Sequence, residues 1–255
     1  MTHLIDIHQH LNFLNSSNDL LISHQQTMGA TSTILLPSSE DFALDKGLLA
    51  NVPDTEMAHE FCKENKNFLF AANFSSANLY KIEEYINKGA KMIGEIKYDT
   101  SSDSESIWEY CEVAQQCDVP ILIHFENSKG IHSLDNFENT LKRFPDVNFI
   151  GHAVLWWADL DNKTDYLMSK YENLYADISA NSGLRAMKHS SSRLFVEEYQ
   201  DKILFGSDCP PNHSYAGASY CIGVESQNRL NEICDDSILE KIYYKNAQKL
   251  LQIEL

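Results

Sequence analysis

The chain has 255 residues, 43% hydrophobic and 22% charged, with ten Gly and six Pro; that length supports a sizeable core without disulfide or metal staples, and collagen-like or disordered classes are excluded. Twenty Lys and Arg against 37 Asp and Glu give a formal charge of −17, which repels a phosphate backbone, so nucleic acid is not an expected partner. The opening MTHLIDIHQH lacks a basic and then apolar leader, no apolar run approaches a membrane span, and six scattered Cys without a CxxC read as reduced thiols, so a cytoplasmic protein is expected.

Along the chain, short apolar runs alternate with stretches of helical period. The runs HLIDIHQH, TSTILLP, NFLFAANF, AKMIGEIKY, VPILIHFE, VNFIGHAV, NLYADISA and KILFGSD predict strands. Between them DLLISHQQTMGA, TEMAHEFCKENK, LYKIEEYINKGA, SESIWEYCEVAQQC, LDNFENTLKRF and SSRLFVEEYQ predict crossover helices, several opening on Ser, Thr or Asp where an N-cap sits. A last helix, SILEKIYYKNAQKLLQIEL, starts behind Asp235, Asp236 and Ser237 and is expected to close the outer ring. Irregular stretches are expected at about residues 37 to 54 and 209 to 235. Eight βα units with strands apolar on both faces, and no GxGxxG after the first strand, predict a (β/α)8 TIM barrel, an α/β fold, as a single domain over residues 1–255.

The informative residues are the polar ones that interrupt these strands, because a buried charge needs a partner or a metal. On the first strand the two-residue period places Asp6, His8 and His10 on one face, so both imidazoles reach one point. Glu95 interrupts the fourth strand, His124 the fifth and His152 the sixth, and Asp208 ends the eighth; the intervals are 29, 28 and 56 residues, or one, one and two βα units. In a closed barrel these groups meet at one mouth. Imidazole nitrogen and carboxylate oxygen without a thiolate suit a catalytic divalent ion: zinc, manganese, iron or nickel.

These motifs carry a resemblance. IDIHQH, GEI, IHF, GHA, ADISA, LFGSDCP and the terminal NAQKLL, spread over nearly the whole chain, resemble the amidohydrolase superfamily. They are most similar to its amidohydrolase-related branch, with aminocarboxymuconate-semialdehyde decarboxylase and pyrone-dicarboxylate lactonase. The resemblance implies a distorted barrel holding one or two divalent ions, with His8, His10 and His124 as ligands. It further implies His152 as ligand or acid/base and Asp208 as ligand and general base. The fourth-strand GEI is more similar to the TatD-type deoxyribonucleases, where Glu at this point binds metal, which adds Glu95 to the ligand set.

Lys97 follows Glu95 on the same face and is read as a substrate-carboxylate binder, a partner of Glu95 or a carbamylated bridge between metals. Trp156, in the LWW that follows GHA, is expected to wall the pocket and Arg185 to reach substrate at the mouth, while His189 and His213, in the same mouth loops, are read as solvent-exposed. Cys209, alternating with Asp208, is expected to face away from the centre as a small buried residue. His3, His24, His59 and His132 take no assigned role. The expected activity is metal-dependent hydrolysis of a small carboxylated, cyclic amide or lactone, or ester substrate. Asp208 takes the proton from water and His152 serves the developing oxyanion or acts as the acid. A TatD-like phosphoesterase, a decarboxylase of a conjugated acid and a non-catalytic ligand-binding barrel are the alternatives. The sequence leaves the metal, the substrate and homo-oligomer formation open.

Overall fold

The computed structural model describes residues 3–39, 49, 51–98, 100–125, 134, 136–152, 163–180, 183, 187, 188, 190–210 and 221–254. Each of the eight apolar runs becomes a strand: β1 (Ile5–Gln9), β2 (Ser32–Leu35), β3 (Phe68–Phe70), β4 (Ile93–Ile96), β5 (Ile121–His124), β6 (Phe149–His152), β7 (Leu174–Ile178) and β8 (Ile203–Phe205). All the pairings are parallel and join sequence neighbours, β1 to β3 in one sheet and β4 to β8 in a second. The two arcs meet at two seams. At one, Ala72 bridges to Ile93 and Gly94 N donates to Ala72 O at 3.0 Å; at the other, Asp208 N donates to His8 O at 2.9 Å. The result is a (β/α)8 barrel with uneven seams.

Strand alternation sorts the apolar side chains into two cores. Ile121, Ile123, Phe149, Ile203 and Phe205 pack outward with the helices, whereas Leu122, Ile150, Leu204, Ile5, Ile7 and Ile34 form a separate inner cluster. Burying each such side chain contributes roughly 1.5–3 kcal/mol, so the parity of every strand is strongly specified. His124 and His152 share the parity of Leu122 and Ile150 and therefore stand above the inner cluster.

The helices are α1 (Asn18–Met28), α2 (Thr55–Glu64), α3 (Tyr80–Asn87), α4 (Glu105–Cys117), α5 (Phe137–Arg143), α6 (Lys163–Lys170), α7 (Ser192–Glu198), α8 (Ile222–Ile233), α9 (Asp236–Glu240) and α10 (Asn246–Leu251). Caps expected from sequence form at Ser104 and Asp235, whereas α1 and α2 are capped earlier than the expected openings at Asp19 and Thr55, by Ser17 and Asp54; each capping side chain accepts a backbone N–H of the first turn. Two helices depart from the expectation. The stretch expected to be irregular to residue 235 contains α8, whose buried face includes Gly223 and Ser226 beside Ile222, Leu230 and Ile233; small residues on that face hide its apolar period. The last helix is broken by a π turn, Lys241–Lys245. Ile242 and Tyr243 pack in the helix layer, but Ala247 and Leu251 join the inner cluster, so α10 plugs the barrel as well as closing its outer ring. Among the described residues no helix is long and apolar enough to cross a membrane.

Candidate metal centre

Backbone irregularities at the ends of β1, β4 and β8 decide where the polar side chains point. The pairing of β1 with β2 slips between Asp6 and Gln9, so Asp6 does not share the face of His8 and His10, as the two-residue period predicts. Its carboxylate is turned to Ser207 N at 2.9 Å, Ser207 Oγ at 2.6 Å and Gln25 Nε2 of α1 at 3.1 Å, tying β1 to β8 and to the helix layer. Gly94 sits at φ +140°, and a methyl there would stand 2.6 Å from Leu122 O; this tight passage precedes Glu95. Asp208 has φ +43° in the chain turning away from β8.

The structure brings His8, His10, Glu95, His124, His152 and Asp208 together. His8 Nε2 lies 3.8 Å from Glu95 Oε2 and 3.9 Å from Asp208 Oδ1, and His10 Nε2 lies 3.8 and 3.6 Å from the same two atoms. On the other side of Glu95, Oε1 is 2.6 Å from His124 Nδ1 and 3.8 Å from His152 Nε2, and His152 Nε2 is 3.7 Å from Asp208 Oδ2. Each oxygen of Glu95 thus faces a different pair of imidazoles. Asp208 is 16% exposed where the others are at most 4% exposed, which makes it the member of the set that meets incoming solvent or substrate.

The imidazoles are held in defined tautomers. His8 Nδ1 donates to Asp177 Oδ2 at 2.8 Å, leaving Nε2 as a fully buried atom with no hydrogen-bond partner. His10 Nδ1 donates to Leu36 O at 2.7 Å. Ser179 Oγ donates to Asp177 Oδ1 at 2.7 Å, so it accepts from His152 Nδ1 at 2.8 Å. In all three rings Nδ1–H is consumed and Nε2 faces the centre, so that Nε2, once free of any proton, is the atom offered to a cation. Asp177 thereby orients two rings, one directly and one through Ser179. It was not singled out from sequence, although a carboxylate inside the apolar LYADISA run is the same signal that marked Glu95.

Charge in this dry site is regulated by the neighbours. Burial resists ionisation of Glu95, but His124, His152 and Lys97 hold its carboxyl well below the ordinary value; Asp177 is likewise held low, against burial, by His152 and His8. Burial also resists a charge on His8, yet Asp208, Asp177 and Glu95 push its pKa up to about 9. His10 is taken down to about 4, first by burial and then by His8, against the pull of Asp208 and Glu95. One proton on His8 therefore supplies the positive charge this acidic centre needs, at the place where a metal would supply it.

A divalent metal fits these residues. Bond lengths of about 2.0–2.3 Å to N and O donors put neighbouring donors roughly 3.3–3.7 Å apart in a tetrahedral site, close to the spacings of His8, His10, Glu95 and Asp208. The groups His8–His10–Glu95 and Glu95–His124–His152 both have ligand atoms within 4.8 Å of one another. Lys97 is buried just beyond β4 and its charge reaches Glu95. Trp156 and Arg185, with His189 and His213, lie outside the described residues. Cys209 is buried, facing Cys221.

The family model described as amidohydrolase matches residues 49–253. The chain belongs to the amidohydrolase family. This family member is an enzyme of the amidohydrolase type, and its barrel is shared by proteins of several chemistries. A TatD homologue from Escherichia coli K12 is similar with a TM-score of 0.69 at 14% identity, with 98% of each chain covered. A probable 2-pyrone-4,6-dicarboxylic acid hydrolase from Acinetobacter baumannii, with citric acid bound, has a TM-score of 0.65 at 12% identity, covering 99% of this chain and 100% of that one. A 5-carboxyvanillate decarboxylase from Sphingomonas paucimobilis has a TM-score of 0.61 at 12% identity over 91% of this chain and 82% of that one. At these identities the likeness is one of fold. No curated protein matches the chain.

Proposed function

We propose that this amidohydrolase hydrolyses a small carboxylated substrate, a cyclic amide or lactone or an ester, with two divalent ions of the zinc class. The supporting observation is the division of Glu95: Oε2 faces His8 and His10, and Oε1 faces His124 and His152, with Asp208 opposite both. His8, His10, Glu95 and Asp208 would hold one ion, and Glu95, His124 and His152 the other. Such ions, when bound, act as Lewis acids and make water ionisable near neutral pH.

The chain's own groups do the rest. Asp208, the most exposed carboxylate of the set, takes the proton of the attacking water and returns it to the leaving group. His152, its Nδ1 committed to Ser179, presents Nε2 toward Asp208; it holds the second ion there, and with that place unfilled a proton on Nε2 lets it support the developing oxyanion. Lys97 offers a cation for a substrate carboxylate at the mouth. A net charge of −17 disfavours a polyanion as substrate.

A second reading, TatD-like phosphoester hydrolysis, is favoured by the fourth-strand Glu95. Protein purified without chelator, analysed for metal and assayed on lactone, cyclic amide, ester and phosphoester panels, separates the two. The proposal expects up to two ions per chain on the nitrogen and oxygen ligands, lost together in His8→Ala with His124→Ala, and turnover confined to carboxyl derivatives. Phosphoester turnover alone selects the second reading, and failure to bind metal removes both.

A further inference from the structure

Behind Asp208, outside the barrel, three potential ligands that the hydrolytic centre does not use converge from three elements. Cys209 follows β8, Cys221 caps α8, and His24 comes from the second turn of α1. They are 1%, 6% and 5% exposed. Cys209 Sγ is 3.3 Å from Cys221 Sγ, and His24 Nε2 is aimed at Cys221 Sγ at 2.6 Å. All three ligand atoms lie within 4.8 Å of one another. A fourth sulfur borders the cluster: a methyl on Gly223 would meet Met28 Sδ at 2.4 Å and Cys221 Sγ at 3.5 Å.

We propose that His24, Cys209 and Cys221 form a second metal site, separate from the hydrolytic centre, for a thiophilic d10 cation of the zinc class. Softness separates the two sites. The hydrolytic centre offers only imidazole nitrogen and carboxylate oxygen, whereas this cluster offers two thiols and one imidazole with a thioether nearby, a set that selects zinc, cadmium or monovalent copper over magnesium or manganese. Metal–sulfur bonds of about 2.3 Å separate two tetrahedral sulfurs by roughly 3.8 Å, about half an ångström beyond their present separation and within reach of small side-chain rotations. On loading, the thiols release their protons to solvent and two thiolates neutralise the divalent charge, which makes burial tolerable.

The site lies where a clip has a mechanical consequence. Gln9 Nε2 bonds both Cys209 O at 2.8 Å and Ser207 Oγ at 3.1 Å, and Ser207 is bound in turn by Asp6. An ion there joins α1, the end of β8 and α8 directly behind Asp208. The inference does not rest on the proposed hydrolysis, since no ligand is shared.

The test loads the reduced, full-length protein with Cd2+ and follows thiolate-to-metal charge-transfer absorption, which the nitrogen and oxygen ligands of the hydrolytic centre cannot produce. The expected result is a band that saturates at one ion per chain and is lost in Cys221→Ser, with total bound metal lower by one equivalent. His24→Gln should keep a weaker band and bind at least tenfold less tightly. Should Cys221→Ser not fold, the native chain still decides, because Cd2+ should protect Cys209 and Cys221 from alkylation while Cys62 and Cys234 react as before. Absence of the band together with unprotected Cys209 and Cys221 overturns the proposal. So does a Cys209–Cys221 disulfide that forms in air once reductant is removed while Cd2+ is present.

Discussion

Raising the pH should tighten metal binding at the hydrolytic centre, because His8 must lose a proton before its Nε2 can serve as a ligand. With the empty-site pKa pushed up to about 9 by Asp208, Asp177 and Glu95, His8 is about 99% protonated at pH 7, and that competition weakens the first ion by about 100-fold. His10, lowered to about 4, adds no such competition at neutral pH. Between pH 7 and 9 the apparent affinity for Mn2+ should therefore rise about 50-fold, close to tenfold from pH 7 to 8 and about fivefold from pH 8 to 9, with about one proton released per ion at pH 7. Competition against a chelator of known pH dependence measures the first quantity, and calorimetry in buffers of different ionisation enthalpy the second. The metal-free protein should show the opposite trend in stability. His8 binds its proton more tightly folded than unfolded, so its contribution, about 3 kcal/mol, is complete below about pH 6.5 and is lost as the pH rises through about 9. Asp177→Asn, which removes one of the three carboxylates that hold the proton, should flatten both trends. An affinity that is flat from pH 6.5 to 8.5, with no proton release, would show that His8 is neutral in the empty site and would refute this electrostatic account.

Asp208→Asn keeps one coordinating oxygen but cannot accept a proton, so turnover should drop by about 10² to 10⁴ while metal content and KM change much less; near-native turnover with metal retained would move the base to His152. Glu95→Gln should lower the number of ions bound per chain, measured by elemental analysis, whereas unchanged metal content would reduce Glu95 to a partner of Lys97 and His124. Gly206→Ala places a methyl 2.9 Å from His8 Cβ and 3.5 Å from Asp177 Oδ2. It should cost about 1–3 kcal/mol by denaturant unfolding and, by disturbing the His8–Asp177 bond, weaken metal binding about 10–100-fold.

The barrel was legible in the chain because its physics is local and repeated. Strands buried on both faces must be apolar, so Glu95, His124 and His152 stand out within them, and the near-constant interval of 28 or 29 residues is the length of one βα unit. Two helix starts were legible for the same reason, since Ser104 and Asp235 satisfy N–H groups only a few residues away. α8 was not, because its buried face carries Gly223 and Ser226, small residues chosen by what packs on them and not by hydrophobicity.

What the tertiary structure alone decided is direction and partnership. The slip in β1 pairing turns Asp6 outward to Ser207 and Gln25 while His8 and His10 face the centre, and a two-residue period carries no information about a slip fixed by a neighbouring strand. The pairing of Asp177 with His8 spans 169 residues, and that of His24 with Cys221 spans 197. Neither pair has a spacing that marks it in the chain, because a hydrogen bond or a ligand contact depends on distance in space. Residue type announces which side chains are costly to bury; only the closed barrel shows which of them meet, with which tautomer, and what charge they leave for a metal to neutralise.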